Sequence, residues 1–330
     1  MKKFIGILFI LLSIRGAGQQ LPIYSQYMLN GFLLNPATAG YDGYTSINLT
    51  AREQWLGMHS GHFEETPKTY SLTASTRLLK RSYVIKKAPI KSKNVYKPSR
   101  DGRVGLGFGM FNDMNGYVSH TGLQFTYAYH IPLNNSQLSF GASGIMFQYR
   151  IDRDKLVFDN QADYTRLAEA MNLVAYVPDA DIGLYYVNRY YFLGMSAKQL
   201  FQAPIKLGNS YLSELQILRN YHFMGGFSYD INSEVYIEPS ALIKVNELLQ
   251  FQADFNVNLY FREELWSGLS FRTDKTLIFL LGAKINQFYF GYAYDYNFSS
   301  IRKYTYGSHE IMMAVKVGDN ARRYRWLNRY

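Results

Sequence analysis

The chain has 330 residues, of which 48% are hydrophobic and 17% aromatic, with a formal net charge of +10 and no cysteine. The lack of cysteine excludes a lipoprotein anchor and a disulfide framework, so stability has to come from packing and hydrogen bonds. After the first residues no uninterrupted apolar run reaches the roughly 18 residues of a spanning helix, so membrane insertion of the mature chain has to use β-strands.

The N-terminus has the organisation of a secretory signal peptide. Lys2 and Lys3 precede a short apolar run, and small residues follow at 16–18. We expect cleavage before Gln19, which makes residues 1–18 the signal peptide and the mature chain an exported protein.

The next segment, 19–43, shows no clean alternation of polar and apolar residues. It contains Asn35, Pro36 and Gly40, which favour turns over a strand. If the strands that follow close as a wide barrel, the lumen must be filled or conduct water. We therefore expect 19–43 to be a plug-like segment, with Asn35-Pro36 and Gly40 setting its turns.

From residue 44 onward the chain alternates apolar and polar side chains, as strands with two unlike faces do. The pattern is clearest in 248–261, where alternate residues from Leu249 to Phe261 are apolar and those between them, including Asp254 and Asn256, are polar. A soluble sandwich buries its apolar face, whereas a membrane barrel turns that face to lipid. The long strands and the many aromatic residues favour the barrel.

Breaks at Gly, Pro, Asn and Asp clusters divide residues 44–318 into about fourteen strands. They are predicted near 44–53, 68–79, 103–113, 119–130, 137–150, 181–188, 190–197, 220–230, 233–245, 248–261, 264–273, 275–285, 286–296 and 308–318. Bacterial outer-membrane barrels have even strand numbers, short periplasmic turns and longer outer loops. A first strand that rises from the periplasm places the long connections outside, at 54–67, 151–180, 198–219 and 297–307. The predicted fold is an all-β transmembrane antiparallel barrel in the outer membrane.

One long outer connection contains a helical pattern. The stretch YTRLAEAMNLVAY within 151–180 spaces its apolar residues as a helix does. We expect a short helix that folds over the barrel mouth.

Two basic segments fall on the periplasmic side. The connection from Lys80 to Gly102 and the tail 319–330 carry Lys80, Arg81, Lys86, Lys87, Lys91, Lys93, Lys97, Arg322, Arg323 and Arg325. No nucleic acid is expected as a partner, because an exported chain rarely meets one and no recognition motif accompanies the charges. We expect a docking surface for an acidic or scaffold partner; a solvated loop held by anionic headgroups of outer-membrane lipid is the alternative.

No pattern indicates catalysis, a metal or a cofactor. His120 and His130 share a strand face, but such neighbours do not make a triad. His309 and Glu310 point to opposite faces and cannot share a metal. We expect no enzymatic activity.

The inward charged residues permit two interpretations. Asp254, Arg272, Asp295 and Glu310 are among the charges expected to face the lumen. They either pair to fill a closed lumen or line the pathway of a passive outer-membrane transporter or channel. We favour the first because both signs occur in similar number.

Several stretches resemble the PorP/SprF family. They are QYMLNGFLLNPATAG at 26–40, REQWLGM at 52–58, GRVGLGFGMFNDMNG at 102–116, TYAYHIPL at 126–133, PDADIGLYY at 178–186, GMSAKQL at 194–200, WSGLSFR at 266–272, FGYAYDYNFS at 290–299 and GSHEIMM at 307–313. Together they cover nearly all of the mature chain, so the resemblance is specific.

The resemblance implies a noncatalytic outer-membrane component of the type IX secretion system or gliding machinery. Such a protein supports secretion or surface anchoring of cargo adhesins through loop contacts. Its implied partners are type IX secretion components in the periplasm or outer membrane and the C-terminal domain of a secreted adhesin.

Overall fold

The computed structural model describes residues 24–58, 66–78, 103–133, 135–152, 174–202, 204–205 and 215–318. The predicted signal peptide, the basic connection and the C-terminal tail lie outside these residues, as does most of the predicted helix. Within the described part of the chain, no helix has the length and apolar character needed to cross a membrane.

Strands make up most of the described residues. They are β1 (Thr45–Glu53), β2 (Lys68–Leu78), β3 (Val104–Asn115), β4 (Val118–Pro132), β5 (Ser136–Ile151), β6 (Val174–Asn188), β7 (Tyr191–Lys198), β8 (Pro204–Ile205), β9 (Leu215–Gln216), β10 (Asn220–Phe227), β11 (Tyr229–Asp230), β12 (Val235–Asn246), β13 (Phe251–Phe261), β14 (Leu265–Arg272), β15 (Thr276–Ile285), β16 (Phe288–Asn297) and β17 (Ser308–Val317). Short 3-10 helices occur at Gly31–Leu33, Pro36–Thr38 and Ser300–Tyr304.

Fourteen of these strands form one closed ring. Each pairs antiparallel with its neighbours in the chain, β7 pairs with β10, and β10 pairs with β12. The first and last strands close the ring, in register from Thr45 opposite Val317 to Glu53 opposite His309. β11 extends the sheet beside β12 only, and β8 pairs with β9 in a separate ladder. The predicted antiparallel barrel of about fourteen strands is confirmed.

Burial along the strands is inverted relative to a soluble protein. On β13, Phe255 and Val257 are 54% and 46% exposed, whereas the residues before each of them, Asp254 and Asn256, are 1% and 2% exposed. Polar side chains therefore face the lumen, and an apolar belt faces outward. A surface of this kind is stable only against lipid.

Two predicted strand starts are wrong by three residues or more. β13 begins at Phe251 rather than residue 248, because Leu249 has a φ of 57° and lies in the turn before the strand. β6 begins at Val174 rather than residue 181 and pairs there with Arg150. The last residues of the predicted helix are thus strand, because pairing along β5 outweighs their helical spacing.

The two ends of the barrel differ. At the short-turn end, where β1 begins and β17 ends, strands are joined by connections such as 189–190, 262–264 and 286–287. At the long-loop end lie the connections 54–67, 152–173, 199–219 and 298–307. The connection 79–103 is the exception, because it is long and joins strands at the short-turn end.

Candidate functional site in the barrel lumen

The described residues before β1, 24–43, cross the barrel interior and are called here the luminal segment. Contacts with a single strand, β17, give its direction. Ser25 bonds to Glu310 near the start of β17 at the long-loop end, and Asp42 pairs with Lys316 near its other end at 3.3 Å. The segment thus enters at the long-loop end and runs to the short-turn end, where β1 begins.

The start of the luminal segment is held by buried charges. The Glu310 carboxylate accepts the backbone N–H of Ser25 at 2.7 Å and that of Gln26 at 2.9 Å. The Ser25 hydroxyl donates to Asp295 at 2.9 Å. Arg52 donates to Asp295 at 2.7 Å and to Glu310 at 3.2 Å. Arg52, Asp295 and Glu310, each at most 3% exposed, form what we call the luminal clamp.

A second buried arginine extends the luminal clamp. Arg272 lies 3.0 Å from Asp254 and 3.6 Å from Asp295. A buried charge is costly unless it is paired, and removing one partner exposes that cost. The inward charges at this level therefore pair with each other and with the luminal segment.

Asn35 fixes the middle of the luminal segment. Its side-chain amide donates to the carbonyl oxygens of Leu184 at 2.9 Å and Met195 at 3.2 Å. Its side-chain oxygen accepts the N–H of Ala37 at 2.9 Å and so caps the following 3-10 helix. A Cβ on Gly183 would overlap that oxygen. Strands β6 and β7 are therefore shaped to receive this residue.

Pro36 and Gly40, the other predicted turn residues, are buried inside the barrel. Pro36 is the first residue of the 3-10 helix, where a proline loses no hydrogen bond. Gly40 has a φ of +65°, and a Cβ there would lie 2.6 Å from the Thr76 carbonyl oxygen. All three predicted turn residues thus lie on the luminal segment.

Aromatic and histidine side chains complete the contacts. The Tyr27 hydroxyl accepts a hydrogen bond from Asn256. His130 lies 3.0 Å from the Ala39 carbonyl oxygen and 2.8 Å from the Ser139 hydroxyl. Both His130 ring nitrogens therefore have structural partners.

A cavity of about 70 Å³ lies between the luminal segment and the barrel wall, toward the short-turn end. Its lining includes Met28, Asp42, Asn48, Tyr289 and Met312. Pockets for drug-sized ligands are about 300 Å³ or larger, so this one holds only a few waters. Among the described residues, no group of three or more His, Asp or Glu side chains is placed to hold a metal ion.

The predicted basic residues lie outside the described residues. These are Lys80, Arg81, Lys86, Lys87, Lys91, Lys93, Lys97, Arg322, Arg323 and Arg325. The strands that flank both basic segments end at the short-turn end, after Leu78, before Val104 and after Val317. Both segments therefore leave the barrel at one end.

Sequence reasoning named Asp295 and Glu310 as inward charges but missed Arg52 and Ser25. Arg52 is in phase with Asn48 and Thr50 on the buried face of β1, so the alternation contained the signal. Ser25 had no such signal, because its two acidic partners, Glu310 and Asp295, are 270 or more residues away in the sequence.

The model of the family described as "Type IX secretion system membrane protein PorP/SprF" matches residues 16–315. The chain belongs to the PorP/SprF family. The resemblance found in its motifs is confirmed, and this PorP/SprF protein is an outer-membrane β-barrel. A comparison with curated proteins gives no match.

Solved structures similar to this PorP/SprF barrel share little of its sequence. The CymD monoaromatic hydrocarbon channel is 11% identical with a TM-score of 0.46, covering 91% of this chain and 94% of CymD. The Pseudomonas putida toluene transporter TodX is 10% identical with a TM-score of 0.44, covering 87% and 92%. Acinetobacter baumannii Omp33 is 7% identical with a TM-score of 0.43, covering 84% and 100%.

Proposed function

We propose that this protein is a noncatalytic outer-membrane component of the type IX secretion and gliding machinery that supports secretion or surface anchoring of cargo adhesins. The occupied lumen carries the proposal. A segment that crosses the barrel and is clamped by buried ion pairs is suited to a rigid body rather than to an open pore.

Binding is assigned to the connections at the two ends. Loops held by a rigid scaffold commonly carry binding. The long-loop end offers the larger surface for the C-terminal domain of a cargo adhesin outside the cell. At the short-turn end, the basic connection and tail are placed to meet acidic or scaffold components of the machinery in the periplasm.

Gene deletion with complementation tests the proposal. Deletion should abolish surface display of one or more adhesins, and the wild-type gene should restore it. Charge reversal at Lys86, Lys87, Lys91 and Lys93 should leave the barrel folded and abolish display. Unchanged adhesin display in the deletion strain would count against the proposed function. Full activity of the charge-reversed protein would show that the basic connection has no part in that function.

A matched control separates docking from a general change of charge. Arg189 and Arg262 are exposed at the same end of the barrel. Reversing their charges should leave adhesin display unchanged. Planar-bilayer conductance tests the transporter alternative, because a stably open channel in the wild-type protein favours transport.

A further inference from the structure

Exposed cations on the barrel differ in whether an acidic side chain balances their charge. At the short-turn end, Arg189 lies 3.9 Å from Asp230 and Arg262 lies 2.8 Å from Glu234. At the long-loop end, Arg302 and Lys303 are exposed. No acidic side chain among the described residues pairs with either of them. The positive charges of Arg302 and Lys303 are therefore not balanced within the described part of the barrel.

Arg302 lies against the lipid-facing surface. Its guanidinium is 3.5 Å from the hydroxyl of Tyr296, and the Tyr294 hydroxyl donates to the backbone oxygen of Tyr306 at 3.1 Å. Tyr294 and Tyr296 flank the luminal Asp295, so both rings point outward. The connection after β16 thus sits at the upper edge of the apolar belt.

The exposed residues Arg302, Lys303, Tyr304 and Tyr306 form what we call the rim patch. Tyr304 and Tyr306 are 69% and 74% exposed. Two backbone hydrogen bonds hold the patch in place, from Tyr306 N–H to the Leu56 oxygen and from Leu56 N–H to the Gly307 oxygen, both at 2.8 Å. A fixed backbone lowers the entropic cost of binding.

We propose that the rim patch binds the phosphate group of an anionic glycolipid in the outer leaflet. Aromatic rings mark the level of lipid headgroups on a membrane barrel, and the two cations lie beside such rings. Each Lys or Arg side chain near a membrane surface is attracted to anionic headgroups. Tyr304 and Tyr306 supply amphipathic rings that pack on the sugar and upper acyl carbons. The inference depends on the long-loop end facing outward and not on cargo anchoring.

Binding of purified lipid A to the full chain in detergent micelles tests the inference. Native mass spectrometry compares diphosphorylated with dephosphorylated lipid A. Each cation near an anionic headgroup contributes about fivefold in affinity, so the two together should give about a 25-fold preference for the phosphorylated form. The R302Q/K303Q variant should lose this preference, and the R189Q/R262Q variant, changed at the opposite end, should keep it.

Three results would overturn the inference. They are equal binding of the two lipids by the wild-type protein, an undiminished preference in the folded R302Q/K303Q variant, and displacement of lipid A by inorganic phosphate alone. Heat-modifiable electrophoretic mobility establishes that each variant is folded. Loss of adhesin display is a separate measurement, so failure here leaves the proposed function standing.

Discussion

Glu310→Gln tests whether the luminal clamp holds the luminal segment. Glu310 accepts two backbone N–H groups and receives Arg52 at 3.2 Å. Glutamine has nearly the same shape but offers only one acceptor oxygen, and its amide nitrogen faces either the Ser25 or the Gln26 donor. The substitution therefore removes charge and one acceptor without leaving a cavity.

The expected cost follows from these contacts. A buried donor left without an acceptor costs about 1–3 kcal/mol, and a lost hydrogen bond to a charged group about 1.5–3 kcal/mol. Arg52 keeps Asp295 at 2.7 Å, so its charge stays paired. These two costs sum to about 2.5–6 kcal/mol, a range that contains the roughly 3–5 kcal/mol for removing one member of a buried ion pair. At about 3–5 kcal/mol, the displaced population of the segment should rise by about two to three and a half orders of magnitude.

Thiol labelling measures that population, because the chain has no natural cysteine. Leu34→Cys places a thiol at a position that is 5% exposed. A maleimide should label it slowly in the parent and much faster with Glu310→Gln. Glu53→Gln is the control, since its pair with Lys68 is exposed and contributes about 0–1 kcal/mol. Equal labelling rates in the parent and the Glu310→Gln variant would refute the reasoning.

Three further predictions follow from the fold. Val257→Lys puts a charge on the lipid-facing side of β13 and should destabilise the barrel in lipid by about 2–4 kcal/mol, measured by urea unfolding in vesicles; Leu249→Lys, in the exposed turn, should change stability by less than about 0.5 kcal/mol. Asn35→Asp turns a carboxylate toward two carbonyl oxygens and should cost more than about 3 kcal/mol, seen as a lower temperature for the heat-induced mobility shift; an unchanged temperature would contradict the assignment. An epitope tag placed before Tyr24 should bind antibody on intact cells, whereas a tag in the turn 286–287 should need permeabilised cells; the opposite pattern would reverse the orientation of the barrel.

The barrel itself was largely predictable because a period of two is a local property of each strand. Asp254 inward and Phe255 outward follow from their neighbours alone. The errors fall where a local pattern continues past the end of a strand or competes with pairing. Leu249 keeps the alternation in phase although the chain has already turned, and Val174 follows a helical pattern although it pairs with Arg150.

The contents of the lumen were not predictable to the same degree. Asn35 and Gly40 indicate turns from their residue type, but the carbonyls that Asn35 binds on β6 and β7 are about 150 residues away. Such partners depend on ring closure, which no local pattern encodes. The similar number of inward acidic and basic residues predicted that these residues pair with each other. Which residues pair is determined by the folded ring.

The contacts of β17 link completion of the chain to closure of the barrel. This last strand supplies the edge that pairs with β1 and also the carboxylate that receives Ser25 and Gln26. A chain truncated before Ser308 lacks both, so β1 keeps an unpaired edge and the start of the luminal segment has no anchor. Unpaired edges invite aggregation and are targets for quality control. Closure of the ring and retention of the segment inside it thus depend on the same ten residues.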